Sequence, residues 1–143
     1  MAAVVLDAQG RCLGWGSNRR QLDHDPLGHA ELVALSQAAA LRGSWRFNDC
    51  SLIVTLEPCP MCAGALVQAR MGRVLFAAED AKRGALGGTL DLARHPSAHH
   101  HMEVEGGLLA EQASRLLADW FRQRRQRQPC DQTGTTAAPS PAD

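Results

Sequence analysis

The sequence predicts an α/β fold in which a mixed sheet carries helices on both of its faces. Short β-branched runs alternate with segments of helical periodicity, in the order ββαβαβ(β)α, and the run at 51–56 is continuously apolar. Such alternation is typical of sheets covered by crossover helices. An uninterrupted apolar run is typical of a strand buried on both faces. The 143 residues are enough for one domain with a substantial core.

The first forty residues predict a hairpin followed by a helix. Residues 3–6 and 11–16 are short apolar runs on either side of a turn at 7–10, which is the pattern of two antiparallel strands. A polar loop occupies 17–28. Apolar residues then recur at helical spacing over 29–40, which predicts a helix.

The later elements are two strands, two helices and a tail. A strand is predicted at 73–77 and a short one at 102–104, while Pro60 favours a helix start there. We expect Leu116, Trp120 and their neighbours on the long C-terminal helix to pack in the core. Residues 1–127 are predicted to form the domain, and the Thr-, Ala-, Pro- and Ser-rich residues 128–143 a disordered tail.

Composition excludes several classes of protein. The formal net charge is +0, so no global field draws the chain to nucleic acid or to a membrane. No apolar run reaches the length of a membrane span, and the first ten residues lack the basic start of a secretory signal. Five cysteines fit a reducing compartment better than a disulfide framework. These features predict a cytoplasmic protein without a membrane partner.

Two clusters predict a zinc site with catalytic chemistry. His29-Ala30-Glu31 supplies an imidazole and a carboxylate, and Pro58-Cys59-Pro60-Met61-Cys62 supplies two thiols. His29, Cys59 and Cys62 are three ligands for one Zn²⁺ per chain, with a fourth position open for water. Glu31 is then the base that moves the proton. His29 and Glu31 would point in nearly opposite directions on a regular helix, so the ion must lie beyond the end of the helix.

Other interpretations of these residues stay open. Cys59 and Cys62, at a helix start after a strand, could form a redox pair, but His29 and Glu31 would then have no role. A structural zinc module would hold the metal without turnover. The histidines at 95–101 are expected to be loop residues and not ligands.

These clusters resemble the cytidine deaminase superfamily, and their surroundings resemble its tRNA-specific adenosine deaminase branch. The resemblance runs from about Val4 to Arg125. The matching segments are Asp25-Pro26, residues 55–65, Asp80-Ala81-Lys82 with Gly84, and Trp120-Phe121-Arg122 with Arg124-Arg125.

The resemblance implies a three-layer α/β/α fold, a homodimer, and conversion of adenosine to inosine at the wobble position of a tRNA anticodon. It implies that Asn18 hydrogen-bonds the flipped purine and that Asp80 contacts the sugar of a neighbouring nucleotide. Phe121 and Arg124 match the part that holds the anticodon loop. A deaminase of a free base or nucleotide, such as guanine, cytosine or dCMP, could use the same zinc site. The arginine-rich C-terminal helix disfavours it.

The resemblance also has one gap. Family members carry a helix before the first strand, whereas this sequence begins inside that strand, at Met1-Ala2-Ala3-Val4. We therefore expect a true start upstream of Met1. As written, the sequence predicts a bare face of the sheet and poor solubility.

Overall fold

The structure is a computed structural model that describes residues 1–127. The tail predicted for 128–143 lies outside the described residues. Within them, five strands and three helices follow one another as β1 Ala2–Leu6, β2 Cys12–Ser17, α1 Ala30–Arg42, β3 Ser51–Leu56, α2 Pro60–Gln68, β4 Arg73–Ala78, β5 Glu103–Gly106 and α3 Ala110–Arg127. The predicted order of elements is confirmed, and β3 has the predicted bounds.

The five strands form one mixed sheet in the order β2-β1-β3-β4-β5. β1 is antiparallel to both β2 and β3, whereas β3, β4 and β5 run parallel. Leu56 at the end of β3 pairs with Ala78 at the end of β4. The carboxyl ends of these two strands therefore meet at one edge of the sheet, and the residues that follow them begin side by side.

One face of the sheet packs against α1 and α2. The core residues on this face occur at every second position of the strands, because successive side chains of a strand point to opposite faces of the sheet. They pack against apolar residues of the two helices. They include Ala3, Val5, Leu52, Val54, Val74 and Phe76 from the strands, with Ala34, Ala38, Ala63 and Leu66 from the helices. α1 approaches β2 most closely at two glycines. A Cβ on Gly16 would lie 2.5 Å from the carbonyl oxygen of Ala30, and one on Gly14 would overlap that of Ala34.

The opposite face is covered only in part. α3 packs there against β4, and an apolar groove of about 580 Å³ lies between the helix and the sheet. Trp15 and Leu116, which line it, are 65% and 72% exposed.

The prediction that Leu116 and Trp120 pack in the core is wrong. Leu116 is 72% exposed and Trp120 is 47% exposed, while Ala113 is the stripe residue that is buried. Periodicity identifies the apolar side of α3, but this helix touches the sheet near β4 and leaves much of that side uncovered. None of the helices within residues 1–127 has the length and apolar composition that crossing a bilayer requires.

Candidate active site

The two predicted ligand clusters meet because two helices begin at the same place. His29 is the N-cap of α1 and Cys59 is the N-cap of α2, both with extended backbone and neither with a side-chain bond to its own helix. Pro60 occupies the first turn of α2, as predicted. Since His29 precedes its helix, it is not forced to point away from Glu31. The imidazole of His29 therefore meets the two thiols just before the first residue of α1, where the sequence analysis required the ion to lie.

The three predicted ligand atoms lie at distances that suit one tetrahedral ion. Nδ1 of His29 is 3.6 Å from Sγ of Cys59 and 3.5 Å from Sγ of Cys62. All three atoms lie within 4.8 Å of one another. Bonds of about 2.0 Å to nitrogen and 2.3 Å to sulfur would place N and S about 3.5 Å apart around a tetrahedral Zn²⁺. The donor set and its spacing therefore fit zinc.

Glu31 is a buried carboxylate beside these ligands. It is 4% exposed, it lies next to Cys62, and its Oε2 atom has no hydrogen-bond partner among the described residues. Burial raises the pKa of the Glu31 carboxyl, and its own backbone amide and the nearby His29 oppose that rise. A buried oxygen without a partner is unfavourable. The unpartnered Oε2 atom of Glu31 is therefore suited to hydrogen-bond a bound water or substrate.

Cys62 is a buried thiol beside the Glu31 carboxylate. Burial raises the pKa of its thiol far above the usual range, and the Glu31 carboxylate raises it further. A divalent ion at the site would oppose that rise and stabilise the thiolate. The contact of His29 with both sulfurs favours a metal site over a redox pair.

A cleft of about 950 Å³ lies between the loop after β2 and α3. Three residues predicted to bind substrate, Asn18, Phe121 and Arg124, line it. The rings of Trp120 and Phe121 meet edge to face at 4.9 Å, and the Arg124 guanidinium lies 5.1 Å from the Trp120 ring. Exposed aromatic rings beside cations can stack and neutralise an unpaired nucleic-acid strand.

Two residues, Trp120 and Glu57, were given no functional role from the sequence but stand out in the structure. Trp120 lines the cleft, and its position beside Phe121 in an arginine-rich helix could have signalled that. Glu57 is 3% exposed and accepts backbone hydrogen bonds from the segment after β4. An acid between Leu56 and Pro58, directly after an apolar strand, was the available signal.

Asp80 is not among the residues that line the cleft. It follows β4, and its Oδ1 atom accepts the backbone N–H groups of Lys82 and Arg83 at 3.0 and 3.1 Å. The loop histidines are not part of the ligand cluster, and two of them bond to backbone carbonyls. Nε2 of His100 donates to the carbonyl of Met71 at 2.7 Å, and Nδ1 of His101 donates to that of Ala93 at 3.0 Å.

Comparisons with known proteins match nearly all of the described chain. The model of the MafB19-like deaminase family matches residues 1–125. A tRNA-specific adenosine deaminase of Haemophilus influenzae is 38% identical, over 88% of this chain and 73% of that protein. A tRNA(Ile)-lysidine synthase of Deinococcus radiodurans is 44% identical over 99% of this chain, which spans only 24% of that protein.

Two solved structures share the fold. One, from a study of A-to-I editing by tRNA:A34 deaminases at the wobble position of transfer RNA, has a TM-score of 0.77 and 33% identity, over 80% of this chain and 83% of the other. The other is a guanine deaminase of Nitrosomonas europaea, with a TM-score of 0.68 and 27% identity, over 83% of this chain and 71% of the other. The fold, the cluster of His29, Cys59 and Cys62 and these matches agree: the chain is related to the tRNA-specific adenosine deaminases and belongs to the MafB19-like deaminase family.

Proposed function

We propose that this protein hydrolyses adenosine to inosine at the wobble position of a tRNA anticodon. The observation that carries the proposal is the meeting of His29, Cys59 and Cys62 with the buried carboxylate of Glu31. Family membership supports it, since the matched relatives include tRNA-specific adenosine deaminases. A redox protein would not need His29 and Glu31 beside its two thiols. A purely structural zinc module would not need the buried carboxylate of Glu31.

In this proposal His29, Cys59 and Cys62 hold one Zn²⁺ per chain. When bound, the ion supplies Lewis-acid activation of water, as in other zinc deaminases. Glu31 moves the two protons of the attacking water, one to N1 of the purine and one to the departing amino group. A C–O bond forms at C6 of the purine, the C–N bond breaks, and ammonia leaves. The buried and unpartnered Oε2 atom of Glu31 supports this role.

The cleft is proposed to receive the anticodon loop. Asn18 would hydrogen-bond the extruded purine, and Phe121 and Arg124 would hold the neighbouring unpaired nucleotides. Asp80 would contact the sugar of one of them from the edge of the metal site. Support comes from the aromatic rings and guanidinium groups that line the cleft, which a free base would not need.

We further propose that residues 1–127 form the deaminase domain, that two copies form a homodimer, and that the protein works in the cytoplasm, where its proposed substrate is found. Sedimentation of the purified protein would test the dimer.

The second candidate function is deamination of guanine, because the guanine deaminase of Nitrosomonas europaea has the same fold as this chain. Purified protein should be incubated with a tRNA whose anticodon begins with adenosine, with the same tRNA carrying guanosine there, and with guanine, cytosine and dCMP. We expect inosine and ammonia in equal amounts from the first tRNA alone. Ammonia from guanine without inosine in tRNA would support the second candidate. Bound zinc with no ammonia from any substrate would indicate a structural module.

A further inference from the structure

Glu57 is a buried carboxylate that the proposed chemistry does not use. It follows β3 directly, and only 3% of it is exposed. Its Oε2 atom accepts the Asp80 N–H at 3.2 Å, and its Oε1 atom accepts those of Leu86 and Gly88 at 3.0 and 2.9 Å. A carboxylate removed from water needs such partners. All three belong to residues 79–91, which we call the rim segment.

The rim segment wraps this carboxylate at close range. A Cβ at Gly88 would lie 2.7 Å from Oε2 of Glu57, and one at Gly84 would overlap the same atom. The two glycines therefore leave the room that the carboxylate occupies. The N–H of Ala85 also donates to the carbonyl of Pro58 at 3.0 Å. Glu57 and Pro58 thus tie the rim segment to the start of α2.

Sheet topology puts this attachment beside the metal ligands. Leu56 pairs with Ala78 in the parallel strands β3 and β4, so both strands end at the same edge. Cys59 comes shortly after one strand end and Asp80 shortly after the other. The rim segment therefore borders the ligand cluster, and the bond from the Asp80 N–H to Glu57 fixes its first turn.

We propose that Glu57 is a positioning residue for the RNA, because it holds the rim segment so that Asp80 meets the substrate at a fixed distance from the metal. The inference rests on the proposed function. Glu57 acts through the rim segment and is not one of the reacting groups. Without this anchor the segment would have to be ordered each time RNA binds, so binding would weaken more than turnover.

The test compares Glu57→Gln with the wild-type protein on tRNA. Glutamine keeps the size but turns an N–H₂ donor toward backbone donors. We expect KM to rise about tenfold or more, since bonds to a charged acceptor are lost, while zinc content stays the same and kcat changes much less than KM. Glu103→Gln removes the same charge from an exposed position on β5 and should match the wild type.

A double-variant cycle separates positioning from general loss of stability. If Glu57 acts through Asp80, the effects of Glu57→Gln and Asp80→Asn on KM will not multiply when combined. Gly88→Ala intrudes on the same carboxylate and should raise KM in the same way. Gly88→Ala is the variant to measure if Glu57→Gln does not fold.

Three results would overturn the inference: an unchanged KM, a loss of zinc, or effects that multiply with Asp80→Asn. Wild-type protein that leaves tRNA unchanged would overturn the proposed function and this inference together. Wild-type turnover of tRNA with any of the three results would overturn this inference alone.

Discussion

The Nδ1 atom of His29 lies 3.5 Å from the Sγ atom of Cys62, although 33 positions separate the two residues. The contact exists because α1 begins after the opening hairpin and α2 begins at the carboxyl end of β3, and the two starts meet. An extended chain does not hold these atoms together. Binding of Zn²⁺ at this cluster should therefore be coupled to folding.

Replacing one thiol should remove the metal. We expect Cys62→Ala to bind much less than one zinc per chain and to unfold at a lower temperature than the zinc-loaded wild type, because a ligand that binds the folded state stabilises it. Cys12→Ala, at an exposed cysteine outside the cluster, is the matched control and should retain zinc. Metal analysis and thermal unfolding measure both effects. A full complement of zinc in Cys62→Ala would contradict the assignment.

Replacing the proposed base should separate binding from turnover. Glu31→Gln keeps the shape of the side chain but cannot take up the proton, so kcat for inosine formation should fall by about 10²–10⁴-fold. Zinc content should stay at the wild-type level, because Glu31 is not a proposed ligand. Inosine can be measured in digested tRNA. Turnover within a few-fold of the wild type would remove Glu31 from its role.

Arg124 should contribute one phosphate contact to RNA binding. If it does, Arg124→Ala should lower the slope of log affinity against log salt by about 0.7. Arg115→Ala is the control on the same helix, since Arg115 pairs with Glu111 at 3.0 Å and does not line the cleft. Binding titrations at several salt concentrations give the slopes. Equal slopes for Arg124→Ala and the wild type would place the RNA elsewhere.

The apolar groove should bind hydrophobic dyes. Exposed apolar surface of this kind favours self-association, so Leu116→Gln should lower dye fluorescence and increase solubility. Leu41→Gln changes a leucine that is 69% exposed on α1, outside the groove, and should have little effect. Fluorescence titration and light scattering compare the two. Equal dye fluorescence and equal scattering for Leu116→Gln and Leu41→Gln would show that the groove is not the site of dye binding or self-association.

Strands and ligands could be predicted from the sequence because their signals are local. The apolar run of β3 identified a strand with its bounds, and Pro60 marked the start of α2. The prediction that β3 is buried on both faces is wrong, since only Leu52 and Val54 are buried and Ile53 and Thr55 line the open groove. The residue types at His29, Cys59 and Cys62 predicted a zinc site before any geometry was known, and the structure brings the three side chains together. These features could be predicted because each depends on the identity and spacing of residues that are close in the sequence.

Features that depend on tertiary packing could not be predicted. Periodicity identified an apolar side on α3, yet it could not tell that Leu116 would lie at an open groove and Trp120 in a cleft. The sequence likewise identified Asp80 only through resemblance. The carboxylate of Glu57 became visible as an anchor only once the segment after β4 was seen to fold around it.

The close contact of α1 with Gly14 and Gly16 has a practical consequence for mutagenesis. α1 carries Glu31 and follows His29, so any larger side chain at these two positions must push α1, and Glu31 with it, aside. Displacements of about 1 Å can cost about a hundredfold in rate. A mutational scan scored by activity should therefore give losses at Gly14 and Gly16 as large as those at the proposed zinc ligands, although the hairpin supplies none of the proposed reacting groups.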